Sequence, residues 1–108
     1  MQLAKGISIA GVLAMTAIII YGFVAGDFAS EGAVIGALPW GRVSLVDLYT
    51  GFTLFSMWIV YRENSALRSV IWVALMMTLG NFTAALYIFL ALQASGGDWR
   101  KFFMGARA

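Results

Sequence analysis

The sequence predicts an all-α membrane protein with three transmembrane helices, and three observations carry that reading. Of its 108 residues, 62% are hydrophobic and only 11% charged, against about 45–50% and about 25% in ordinary soluble domains. The apolar residues gather into long runs, and a helix rising about 1.5 Å per residue crosses a hydrocarbon core of about 30 Å in roughly 20 residues. The basic residues stand mostly at the ends of those runs. A domain of this length leaves much of its surface uncovered, so the apolar surplus calls for lipid or a very apolar partner.

The first span covers about residues 6–25 and carries no charge. It exceeds the roughly 7–15 residues of a secretory signal core, so it reads as a membrane anchor and not as a cleaved leader. Gly6, Ala10 and Ala14, then Gly22 and Gly26, place small residues where another helix could approach closely. Residues 27–42 read as a loop with the sole proline, Pro39, and an interfacial anchor, Trp40. The second span covers about residues 43–61 and the third about residues 67–92; the short connection makes them an antiparallel hairpin. The run Ala94-Ser95-Gly96-Gly97 ends the third span. The tail, about residues 98–105, mixes aromatic and basic side chains and is expected to lie on the membrane surface. The chain forms a single membrane domain.

Three crossings put the N-terminus and the 62–68 turn on one side, with the first loop and the tail on the other. Lys5, Arg62 and Arg68 then oppose Arg42, Arg100, Lys101 and Arg107, which is nearly a tie. The base ahead of the first helix favours an N-terminus that faces the inside.

Polar residues within the spans are the candidate functional positions, because burying them in lipid is costly. Asp47 is either an interfacial acid near a helix N-terminus, a hydrogen-bond acceptor for a tyrosine, or a proton or cation site. Asp47, Gly51, Leu54, Trp58 and Tyr61 follow helical spacing and form one stripe with an aromatic face at Trp58 and Tyr61. On the third span Gly80, Asn81, Ala84, Tyr87, Ile88 and Ala91 form a small-residue ridge suited to receiving the second helix. Depth matching brings Tyr87 towards Asp47 and keeps Asn81 apart from it. At the hairpin turn Arg62 and Glu63 pair with each other or with Arg68 as exposed ions, contributing about 0–1 kcal/mol.

Several function classes fall away. Without cysteine or histidine there is no disulfide, thiolate chemistry, or zinc or haem ligation through those side chains. A net charge of +2 is too small for a nucleic-acid binder. No nucleophile–base pair, metal-ligand cluster or phosphate loop emerges, so neither an enzyme nor a cofactor or metal is expected.

From Leu38-Pro39-Trp40 through Asp47-Leu48-Tyr49, Trp58-Ile59-Val60-Tyr61-Arg62-Glu63-Asn64, Ile71-Trp72, Leu79-Gly80-Asn81 and Leu86-Tyr87-Ile88, the chain resembles a small membrane family. The family is called domain of unknown function fourteen seventy-five. The resemblance implies three membrane helices with the Tyr-Arg-Glu element on a turn, and brings no catalytic residues. Asn81 stands where a small polar residue such as serine would be expected.

The expected function is an accessory or assembly subunit that packs in the bilayer against other membrane helices, its own copies included. One alternative is a small oligomeric proton or cation channel using Asp47, Tyr49 and Thr50. Another is binding of a lipid, quinone or pigment against Trp58, Tyr61 and Tyr87.

Overall fold

A computed structural model describes residues 2–107. Six α-helices follow one another: α1 (Gln2–Ala25), α2 (Phe28–Ala37), α3 (Pro39–Glu63), α4 (Ala66–Leu79), α5 (Asn81–Ser95) and α6 (Trp99–Met104). A 3-10 turn, Gly105–Arg107, completes the described chain, and no strand occurs among the described residues. Two helices, α1 with 24 residues and α3 with 25, are long and apolar enough to cross a membrane. α1 begins four residues before the expected span and ends with it at Ala25, and α3 exceeds its expected span at both ends.

Local chemistry sets the boundaries. Asp27, in extended conformation, caps α2: its carboxylate accepts from the Ser30 amide at 3.4 Å and from the Ser30 hydroxyl at 2.9 Å. Sequence reasoning took residues 27–42 for a loop, because α2 is only 10 residues long and lies between glycines. Pro39 opens α3 at its first turn, where a missing N–H costs nothing. Asn64 ends α3 in the left-handed region at φ 49°, and the Ser65 hydroxyl, accepting from the Arg68 amide, starts α4 at once.

The third span expected over residues 67–92 does not form. The chain reverses at Gly80, and α4 and α5, of 14 and 15 residues, fold into a tight hairpin. Three pairings show the reversal. The Thr83 hydroxyl donates to Leu75 O at 3.0 Å, the Trp72 and Tyr87 rings lie 4.9 Å apart, and Arg68 and Ala94 line one cavity. In one continuous helix Trp72 and Tyr87 would stand about 22 Å apart. Gly80 makes the turn with φ 62° and ψ −127°, a conformation closed to side chains with a Cβ. An added Cβ there would also lie 2.7 Å from the Phe52 ring.

The hairpin sits between the two long helices. α4 runs back along α3, tied by the Tyr49 hydroxyl donating to Met77 O at 3.3 Å, so the expected antiparallel pairing of these segments is present. α5 runs antiparallel to α1. Ala4 packs on Ala91, Leu92 and Phe102, Gly11 meets Ala85, and Ile19 and Ile20 share a cavity with Leu79 and Phe82. A Cβ on Gly11 would lie 3.1 Å from the Ala85 Cβ, whereas Gly6 and Gly22 face open space. The close helix contact therefore falls at Gly11, outside the small-residue set singled out from sequence.

The reversal also moves the tail. It returns to the end of the molecule that holds the N-terminus of α1 and the α3–α4 turn, not to the opposite end. There Phe102 is buried and α6 packs on the last turns of α3, while Trp99 and Phe103 stay exposed. The accessible surface is 7196 Å², compared with about 5,900 Å² for a compact soluble chain of this mass. Much of the excess is apolar side chain on α1 and α3.

Hydrogen bonding from Ser30 holds the exposed Asp27 carboxyl below its ordinary value of 3.8. A depressed value means that the cap stabilises α2 above the unfolded-state value and is lost as pH falls through the folded one. Ser30→Ala is expected to raise the Asp27 midpoint, which a carboxyl NMR titration reads directly. Separately, the buried Ser56 hydroxyl has no hydrogen-bond partner among the described residues. Ser56→Ala is expected to raise stability by up to about 1 kcal/mol in a denaturation series, since an unmet buried polar group is removed.

Candidate functional site

The end where α3, α4, α5 and α6 converge is organised by Arg62. It stands on the last turn of α3 and is 8% exposed. Its Nε donates to Phe102 O at 2.8 Å and its Nη1 to the Tyr87 hydroxyl at 3.3 Å. Nη1 also lies 3.5 Å from Glu63 Oε1, which accepts from the Tyr87 hydroxyl at 2.7 Å. A buried ion pair offsets its desolvation only when its remaining donors and acceptors find partners. Here Arg62 has two, Phe102 O and the Tyr87 hydroxyl, and Glu63 has one.

Aromatic rings enclose this triad. The Tyr87 ring meets Phe55, Trp58 and Trp72 edge-on, and the Arg62 guanidinium carbon lies 5.5 Å from its centre. The tail closes the arrangement. Trp58 Nε1 donates to Phe103 O at 3.0 Å, and Arg107 Nε donates to Tyr61 O at 2.6 Å while its guanidinium lies 5.0 Å from the Tyr61 ring. Gly105, at φ 55°, lets the backbone pass against Arg62, where any Cβ would run into the arginine side chain and backbone. Trp58→Phe is expected to cost about 0.5–1.5 kcal/mol, the worth of one hydrogen bond. Thermal unfolding with and without the substitution checks this.

A cavity of about 340 Å³ lies beside the triad, between α4 and α5. Arg62, Glu63 and Arg68 form its polar wall, and Trp72, Leu90, Ala91 and Ala94 its apolar wall. Arg68 is exposed and joins no ion pair among the described residues. A second cavity, of about 190 Å³, lies near the tip of the hairpin, where Asp47 and Gly51 face Asn81 and Ala84 across Phe52, Phe55 and Met76.

These positions rearrange the expected site. Asp47 and Asn81, kept apart by depth in a three-span reading, line one cavity because the hairpin tip reaches the first half of α3. Tyr87 does not meet Asp47; it sits at the other end with Arg62 and Glu63. Those two are a largely covered pair, Arg62 buried and Glu63 partly so, with side chains 10% and 12% exposed, and not fully solvated ions. The stripe divides: Asp47 and Gly51 face the hairpin, Trp58 packs into the aromatic enclosure, and Leu54 and Tyr61 are exposed. The ridge Asn81, Ala84 and Tyr87 does look towards α3, but across a cavity and bulky rings; the close approach of α5 is to α1. Sequence reasoning missed Phe102 and Arg107, whose roles depend on where the tail returns.

Fold and site thus define an all-helical protein with two span-length apolar helices, a helical hairpin between them and an Arg–Glu–Tyr triad whose Arg62 and Tyr87 are buried. The chain belongs to the family described as "Protein of unknown function (DUF1475)", which matches residues 4–101. No curated protein and no solved structure matches it.

Proposed function

We propose that this protein is an integral membrane protein that crosses the bilayer twice, inserts α4–α5 as a hairpin from one side, and docks through α3 onto other membrane helices, its own copies first. The observation that carries the reading is the outer face of α3. Val43, Val46, Thr50, Thr53, Met57 and Val60 alternate spacings of three and four, and every one is exposed. This is the seam spacing of a helix pair, and small or β-branched residues with hydroxyls suit contact in lipid. The membrane setting is supported by burial: 6% of the most apolar stretch of α1 and 17% of that of α3 is covered, the reverse of a soluble core helix. The non-helical backbone at Gly80 is buried against Phe52, as membrane depth requires.

Orientation follows from the same geometry. Lys5, Arg62, Arg68, Arg100, Lys101 and Arg107 gather at the end that holds both termini, leaving Arg42 at the other. By the positive-inside rule this asymmetry supports an orientation with that end in the cytoplasm.

The chain contains no cysteine, so a single introduced thiol reports contact cleanly. Thr50→Cys is expected to crosslink copies of the chain in native membranes under mild oxidant, and Ile18→Cys on the exposed face of α1 is not. Equal crosslinking of the two, or a strictly monomeric particle in mild detergent with nothing co-purifying, removes the docking reading.

The cavity shared by Asp47 and Asn81 favours a second reading, a proton or cation site at the hairpin tip. Liposome flux that Asp47→Asn abolishes supports it; no flux, or flux unchanged by the substitution, rules it out.

A further inference from the structure

We infer that the cleft between α4 and α5 binds the phosphate of an anionic membrane lipid, with Arg68 and Arg62 as the recognising cations and the groove along Trp72, Leu90 and Ala94 receiving the start of an acyl chain. This rests on the membrane reading above and adds a ligand to it.

Charge comes first. The polar wall holds two guanidinium groups and one carboxylate, and the carboxylate is taken by Arg62 and Tyr87. One positive charge, on Arg68, is left facing the cleft without an acidic partner among the described residues. Arg68 also lies in the first turn of α4, a 14-residue helix whose N-terminal amides and dipole favour an anion nearby. A guanidinium offers a planar fork that fits phosphate oxygens, which a neutral or zwitterionic partner would not use as fully.

Shape and depth fit a lipid better than a free ion. The cleft of about 340 Å³ is far larger than one phosphate needs, and half its wall is apolar. It stands at the end that carries six of the seven basic residues, the level at which headgroups of the inner leaflet would lie, and Trp72 gives it an indole of the kind found at that layer. Arg62 is fixed by its bonds to Phe102, Tyr87 and Glu63, so one of the two cations is preorganised before any ligand arrives.

The test uses the purified full chain in mild detergent, titrated with dioctanoyl phosphatidylglycerol, dioctanoyl phosphatidylcholine or inorganic phosphate, with binding read by native mass spectrometry. Phosphatidylglycerol is expected to bind at least about tenfold more tightly than phosphatidylcholine, the scale of one charge-assisted contact. Arg68→Gln should remove that preference while leaving the melting temperature unchanged, because Arg68 is exposed and its side chain joins no ion pair among the described residues. Arg68→Lys should restore part of it. Equal binding of the two lipids, or a preference that survives Arg68→Gln, overturns the proposal. Inorganic phosphate binding as tightly as phosphatidylglycerol overturns the lipid assignment. A chain that proves soluble without detergent defeats instead the membrane reading beneath it.

Discussion

Gly80→Ala is expected to be among the most damaging small substitutions in the chain, unseating the α4–α5 hairpin. Two independent costs add. The backbone at φ 62° and ψ −127° lies where a Cβ-bearing residue is strained, by about 1–3 kcal/mol. The new methyl would also sit 2.7 Å from the tip of the Phe52 ring, and overpacking of that kind costs about 1–3 kcal/mol. Phe52 is itself 8% exposed and edge-on to Tyr49, so it has little room to give. Phe52→Leu should therefore recover part of the loss in the double variant, and the backbone share should remain. Unfolding midpoints in a detergent–denaturant series, measured for both single variants and the double, separate the two. If Gly80→Ala is neutral, the chain does not reverse there.

Removing one member of the triad has the second-largest expected effect. Arg62→Met leaves the partly buried Glu63 carboxylate with only the Tyr87 hydroxyl, and releases the carbonyl of Phe102 from its donor. Breaking a buried pair from one side costs about 3–5 kcal/mol. Glu63→Gln strands the arginine in turn, less severely, because its Nε bond to Phe102 survives. The double variant Arg62→Met/Glu63→Gln should be more stable than Arg62→Met alone, since no unpaired charge is left inside. Additive losses across this cycle would show that the two side chains do not act as a pair.

Both effects concern features that the sequence exposes unequally. The helical character, the first two apolar runs and the short turn after α3 are legible because composition and length decide them. The hairpin was hidden by the same criterion: residues 67–92 have the length and apolarity of a single crossing. What distinguishes them is the Gly80-Asn81 step in mid-run, a turn signal that hydropathy averaging passes over. It divides the run into helices of 14 and 15 residues, ordinary lengths for packed helices. The near-tie in basic residues across three crossings was a second sign. Folding the third segment back on itself converts the tie into six against one, a bias of the kind that orients membrane proteins.

The Arg62 site was unreadable for a different reason. An arginine followed by a glutamate at a helix end resembles a solvated pair in any sequence. Its burial depends on α6 returning to cover it, and on Tyr87 arriving from a helix that runs opposite to the expected direction. Likewise, Asp47 and Asn81 become neighbours only once the hairpin tip is placed. The Asp27 and Ser65 caps are set by residues three positions away and so lie within reach of local pattern, although the expected loop over 27–42 passes over the first of them; side chains set by the return of a distant segment lie beyond that reach.

The measurement that bears most directly on this architecture is the sidedness of three single thiols in a chain with none of its own: Gln2→Cys, Glu31→Cys and Ala106→Cys, each labelled with a membrane-impermeant maleimide in sealed vesicles of known orientation. Gln2 and Ala106 should react from the same side and Glu31 from the other. Labelling of Ala106 together with Glu31, and opposite Gln2, would restore a third crossing and contradict the hairpin.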